Sequence, residues 1–249
     1  MRFTVTHELN YTYDSPVRLS TQYLRLTPRD TARQKVISWK IETPGQAMRT
    51  SDGYGNILHV LTLDKPVSEI WIHAGGVVET SATVDEPSDF TGTPLSPLLF
   101  LRPTGLTKVD ADLTAFAEGF RRRAATLAGL RELARAIHER KPDAPGEEAT
   151  HRFIACCRHL GVPVRYVSGY IYSPRAAAGE QMAINAWAEA WVVDCWRSFD
   201  IRNDLPIGEA HVKIAVGADY LDACPIRGVR TGGGAETLVA QAHVTTNSQ

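Results

Sequence analysis

Four thiols and eight imidazoles are the groups in this 249-residue sequence from which nucleophilic chemistry could be built. A thiolate attacks a carbonyl effectively only when a neighbouring base takes its proton and a third group holds that base in one tautomer. The cysteines stand at Cys156, Cys157, Cys195 and Cys224, with no C-x-x-C pair among them. Neither a zinc site nor a dithiol redox site is therefore indicated. His151 lies nearest to the Cys156-Cys157 pair, but residues five apart on a helix do not share a face. Cys157 also falls on the apolar stripe of Phe153, where a packed, inert thiol is expected. No two histidines share helical or hairpin spacing with a carboxylate, so no metal is expected. Gly232-Gly233-Gly234 lacks the Lys-Ser/Thr of a phosphate loop and opens no helix, which makes it a turn.

Two further segments carry polar groups at strand spacing. They are Asn185-Ala186-Trp187-Ala188-Glu189-Ala190-Trp191 and Ser198-Phe199-Asp200. Together with Phe153 to Tyr170, they resemble the catalytic half of bacterial transglutaminase-like proteins. In that family a Cys-x-Asp-x-x-His run opens a helix, while a His-Ala-Trp-x-Glu strand and a Phe-Asp strand complete a triad. The resemblance extends to Tyr11 through Gly53-Tyr54-Gly55-Asn56, similar to the family's N-terminal β domain. It extends also to His211 through Tyr220 and Pro225-Ile226-Arg227-Gly228, similar to its closing region. Counting back from His151, the nucleophile position falls on Gly146, the base on Asn185 and the orienting carboxylate on Asp200. Glycine has no nucleophile, and an amide cannot accept a proton near neutral pH. The loop that precedes the nucleophile in relatives is also shortened, since Ile137-His138-Glu139 runs almost directly into Pro145-Gly146.

The resemblance implies a papain-like thiol-enzyme fold with a silent centre, used as a binding, scaffold or regulatory component without a cofactor. A protein or peptide partner follows, with ATP-grasp-like and helical companion proteins as family-level expectations, and a homo-oligomer stays open. The alternative is a peptidase, amidase or acyltransferase whose nucleophile has moved to Cys156 or Cys157, with His151 as its base. Trp187, Glu189 and Trp191 are expected to pack and brace the strand, while Trp187, Glu189 and Tyr170 are the residues that would line a vestigial groove. A hydrogen-bonded pair between Asp200 and Asn185 is expected to tie two strands together.

The elements that must position these groups divide in two. Residues 1–100 read as an antiparallel, sandwich-like β domain. Phe3-Thr4-Val5-Thr6, Tyr11-Thr12-Tyr13, Tyr23 to Leu26, Val36 to Ile41, Ile57 to Leu63, Glu69 to Ala74 and Val77 to Thr80 read as short strands, several of them alternating with period two. Asp14-Ser15-Pro16 and Asp52 to Asn56 read as turns, and Pro87 to Pro103 as the connection between domains. Residues 101–249 read as the α+β core. Helical periodicity runs through Asp110 to Arg140 and from Glu147 to Leu160, ending near Pro142 and Gly161. Strands follow at Arg165 to Tyr172, Ala186 to Val193, Trp196 to Ile201, His211 to Val216 and Glu236 to Val244.

Bulk composition narrows the classes further. At 43% hydrophobic residues the chain can bury proper cores. A net charge of −1 gives no electrostatic reason to expect nucleic acid or an acidic membrane as partner. No apolar run approaches the roughly 20 residues that span a bilayer, and no signal core opens the chain. A reducing cytoplasm is the expected compartment.

Overall fold

A computed structural model describes residues 1–82, 95–172, 184–206 and 208–246. The first sheet is organised by one strand, β1 (Arg2–Thr27), whose two halves take different neighbours. Its first half pairs with β5 (Val67–Thr80) on one side and β12 (Glu236–Thr246) on the other. Its second half pairs with β4 (Ile57–Leu63) and β11 (Ile226–Gly232). The register shifts between Thr12 and Val17, where Asp14-Ser15-Pro16 was expected to end a strand. Instead the chain bends there and continues, because Pro16 costs no ladder bond at a corner where the neighbours change. β2 (Gln34–Glu42) and β3 (Ala47–Ser51) complete the seven strands. Folding at the bend brings Leu9, Ile70 and Ile72 of one half into one cluster with Leu24, Leu26 and Leu61 of the other. This is the sandwich-like arrangement expected, with a strand turning the corner.

The second unit is α+β, as expected. A five-stranded antiparallel sheet runs β10 (His211–Gly217), β6 (Val164–Ile171), β7 (Asn185–Val192), β8 (Cys195–Asp200), β9 (Leu205–Pro206). Helices α1 (Ala111–Glu118), α2 (Leu127–Arg140) and α3 (Gly146–His159) cover one face, and the short α4 (Tyr220–Ala223) follows β10. β7 shows why the helix fits. Its Ala186, Ala188 and Ala190 are buried in the cluster that holds Phe153, Ile154 and Cys157 of α3, and small side chains let the helix approach the sheet closely. The opposite parity carries Trp187, Glu189 and Trp191.

The two units share a core. Phe3, Val5 and Val78 of the first sheet pack in the same cluster as α3 and β6. The last two strands of the chain join the first sheet. β11 and β12 lie within the segment assigned to the core, yet they hydrogen-bond to β1. The hairpin between them turns at Gly232, Gly233 and Gly234, all at positive φ (87°, 97° and 63°), a conformation that only glycine adopts without strain.

Candidate functional site

Helix α3 starts at Gly146 directly after Pro145, with no side chain capping its first amides. Proline fixes the entry backbone, and Glu147 and Glu148 in the first turn complement the helix dipole. A β-carbon at Gly146 would lie 3.3 Å from Cδ of Arg202, in the turn after β8. The aliphatic stem of Arg202 thus covers the place where the resemblance puts a nucleophile. Asn185 opens β7 opposite Gly169 of β6, and Asp200 ends β8 opposite Leu205.

The carboxylate of Asp200 is buried and engaged, and Asn185 is not among the partners seen for it. It accepts from the backbone N–H of Asn203 at 3.1 Å and from Nδ2 of Asn203 at 2.7 Å. Its third partner is Nε2 of His211, 3.2 Å away. Asp200 is thus tied to His211, which the curl of the sheet brings from β10 to the end of β8. His211 was not singled out in the sequence for chemistry, and no local pattern marks it. The only signal is a histidine eleven residues after the aspartate, across a turn. The other ring nitrogen of His211, Nδ1, is buried without a hydrogen-bond partner, as is Nε1 of Trp187. The two rings meet edge to face at 5.3 Å.

The residues expected to line a residual groove are locked inside. Trp187 is 1% exposed and lies over Gly169, where a β-carbon would come within 2.4 Å of its ring. Glu189 is fully buried. Its carboxylate receives Arg165 at 2.5 Å, Lys213 at 2.7 Å and the hydroxyl of Ser198 at 3.2 Å. Arg165 also sits 4.2 Å above the ring of Trp196. Tyr170 belongs to the junction between the units. Its hydroxyl is 2.9 Å from Nδ1 of His7 on β1. All three side chains are buried. Hydrogen bonds, a close-packed indole and desolvated charges make them braces.

The thiols are equally enclosed. Cys156, Cys157, Cys195 and Cys224 are free and buried. Burial pushes the Cys156 thiol up to about 12 and that of Cys157 well above its ordinary value. Cys195 and Cys224 are raised for the same reason, and each points its sulfur at a carbonyl of its own turn, Val192 and Leu221. His151 is a structural acceptor. Its Nε2 receives the backbone N–H of Tyr220 at 3.1 Å, and its ring stacks on Tyr166 at 5.0 Å. Burial lowers its proton affinity. It lines a cleft of about 510 Å³ with Glu147, Lys108, Leu113 and Tyr220. His159 meets Glu118 at 2.7 Å.

No group of three or more metal-ligating side chains occurs among the described residues. No described helix is long and apolar enough to cross a membrane.

Residues 3–79 match the bacterial transglutaminase-like N-terminal region, and residues 107–201 match the transglutaminase-like superfamily. An uncharacterized protein of Mycobacterium leprae is 30% identical over 98% of both chains. The chain belongs to the transglutaminase-like superfamily. An uncharacterized protein of Mycobacterium tuberculosis is 26% identical over 92% of this chain and 87% of that one. A crystal structure from Cytophaga hutchinsonii, titled as a candidate cysteine protease, superimposes with a TM-score of 0.69. It is 16% identical and is matched over 100% of this chain and 91% of that chain. At that identity the likeness speaks for the fold alone.

Proposed function

We propose that this transglutaminase-like chain is catalytically silent and serves as a binding, scaffold or regulatory component. The observation that carries the reading is the start of α3. There a glycine stands at the position the resemblance assigns to the nucleophile, under the stem of Arg202. In a triad enzyme, loss of the nucleophile costs about 10⁶ in turnover. The buried Asp200–His211 pair keeps an oriented imidazole but has no thiol or hydroxyl beside it among the hydrogen bonds it makes. Relocation to Cys156 or Cys157 is disfavoured by burial, since a thiolate needs solvent or a cation to form. Family resemblance suggests that the partner belongs to a peptide-making or peptide-processing system, with ATP-grasp-like and helical proteins as companions.

Brief alkylation at neutral pH, read cysteine by cysteine by mass spectrometry, tests the silent centre. The expected result is uniformly slow modification that rises only on unfolding, together with no hydrolysis of amide substrates by pure protein. A single fast thiol whose replacement by alanine abolishes measurable turnover would falsify the reading.

A further inference from the structure

We propose that the outer face of the N-terminal sheet binds a basic peptide segment through an acidic, aromatic-floored groove. This site lies in a different unit from the triad positions and stands whether or not the core is silent.

The groove has a volume of about 500 Å³ and lies across β12, β1, β5 and β2. Strand parity builds it. Leu9, Ile70 and Ile72 point into the sandwich core, so Glu8, Asn10, Glu69, Trp71 and His73 occupy the opposite face. Cross-strand pairing sets them in rows. Glu8 and Glu42 flank His73 from either side, Asn10 lies beside Trp71, and Glu69 pairs with Thr12. Glu69 and His73 stand four positions apart on one strand, about 13 Å at strand rise. The three carboxylates are therefore spread along a trough, too far apart to surround one metal ion.

Almost everything that faces this trough accepts hydrogen bonds or offers a π surface. Glu8 and Glu69 have no ion pair among the described residues, and Glu42 is held only by exposed Lys40 at its edge, 2.6 Å away. Oδ1 of Asn10 is shielded from solvent without a hydrogen-bond partner. Trp71 and His73 form a ring pair at 5.1 Å on the floor. An indole face with carboxylates around it is the setting in which ammonium and guanidinium groups bind. With three carboxylates and no lysine or arginine lining the groove, the complementary ligand is donor-rich and positive. Its length and the apolar rim at Val239, 54% exposed, favour an extended segment carrying Lys or Arg over a single small cation.

Titration calorimetry of the full chain at low ionic strength tests this. The probes are a short peptide of alternating Lys and Ala, its Glu and Ala counterpart, and spermidine. Saturable binding of the basic peptide alone is expected, weakening with added salt. Trp71→Ala, and Glu8→Gln combined with Glu69→Gln, should each reduce the affinity about tenfold, while Trp71→Phe should retain most of it. Should Trp71→Ala fail to fold, the two glutamine substitutions, which leave the core untouched, decide. The proposal is overturned if the basic peptide does not saturate below about 1 mM, or if both variants bind as tightly as the parent. It is also overturned if only spermidine binds.

Discussion

Acid should loosen this molecule through one residue at the junction of its two units. His7 of β1 is 3% exposed and shares a hydrogen bond of 2.9 Å with Tyr170 of β6. Burial lowers its proton affinity from 6.5 to about 4. A histidine with a depressed folded pKa binds more protons unfolded than folded, so stability is intact above the unfolded value and drains as pH falls below it. Between 6.5 and about 4 the linkage integrates to about 2 kcal/mol lost by pH 5 and about 3 kcal/mol by pH 4. For a chain of this size that is about 4–8 °C in Tm at pH 5.

Urea unfolding of the parent and of His7→Gln at pH 7, 6 and 5, followed by circular dichroism and tryptophan emission, isolates the residue. Glutamine can still hydrogen-bond Tyr170 but does not titrate. Its stability should fall below the parent's at pH 7 by about 1 kcal/mol through imperfect packing and hydrogen bonding, and the gap should close or reverse by pH 5. Other histidines contribute equally to both proteins and cancel in the difference. If parent and variant lose stability in parallel across that range, His7 is not held neutral by burial and the argument fails.

Two more outcomes follow from the core sheet. Glu189→Gln removes the carboxylate shared by Arg165 and Lys213. Neutralising a buried carboxylate that two buried cations share should cost about 3–5 kcal/mol, visible as a fall in the urea midpoint; a loss under about 1 kcal/mol would mean that water already reaches the pair. Gly146→Cys adds a side chain whose nearest neighbour is the flexible stem of Arg202, at the uncapped start of a 14-residue helix. The fold should survive, and the new thiol should be alkylated faster than any of the four native cysteines, because helix N-termini favour thiolates. Modification no faster than that of Cys195 would show that Arg202 seals the position.

What the sequence disclosed and what it hid divide along the range of the interactions. Helix α3 was legible nearly to the residue, because Phe153, Ile154 and Cys157 repeat at helical spacing and Gly161 closes it. Strand β7 was legible because alanines alternate with Trp187, Glu189 and Trp191. Pro16 misled, since a proline that ends a strand and one that bends it at a corner look alike until the neighbours are known. β11 and β12 were hidden from any local reading as partners of β1, whose residues lie more than 200 positions away. The same limit governs the site. Trp187, Glu189 and Tyr170 have the composition of a groove, yet whether an indole or a carboxylate faces solvent depends on what returns to cover it. Here Lys213 and His211 of β10 and His7 of β1 return, all distant in sequence. His211 is the sharpest case, since Asp200 stands out through the resemblance while the imidazole beside it does not. A position can be read from a motif, but the partner that the carboxylate at that position takes is chosen by the curl of the sheet.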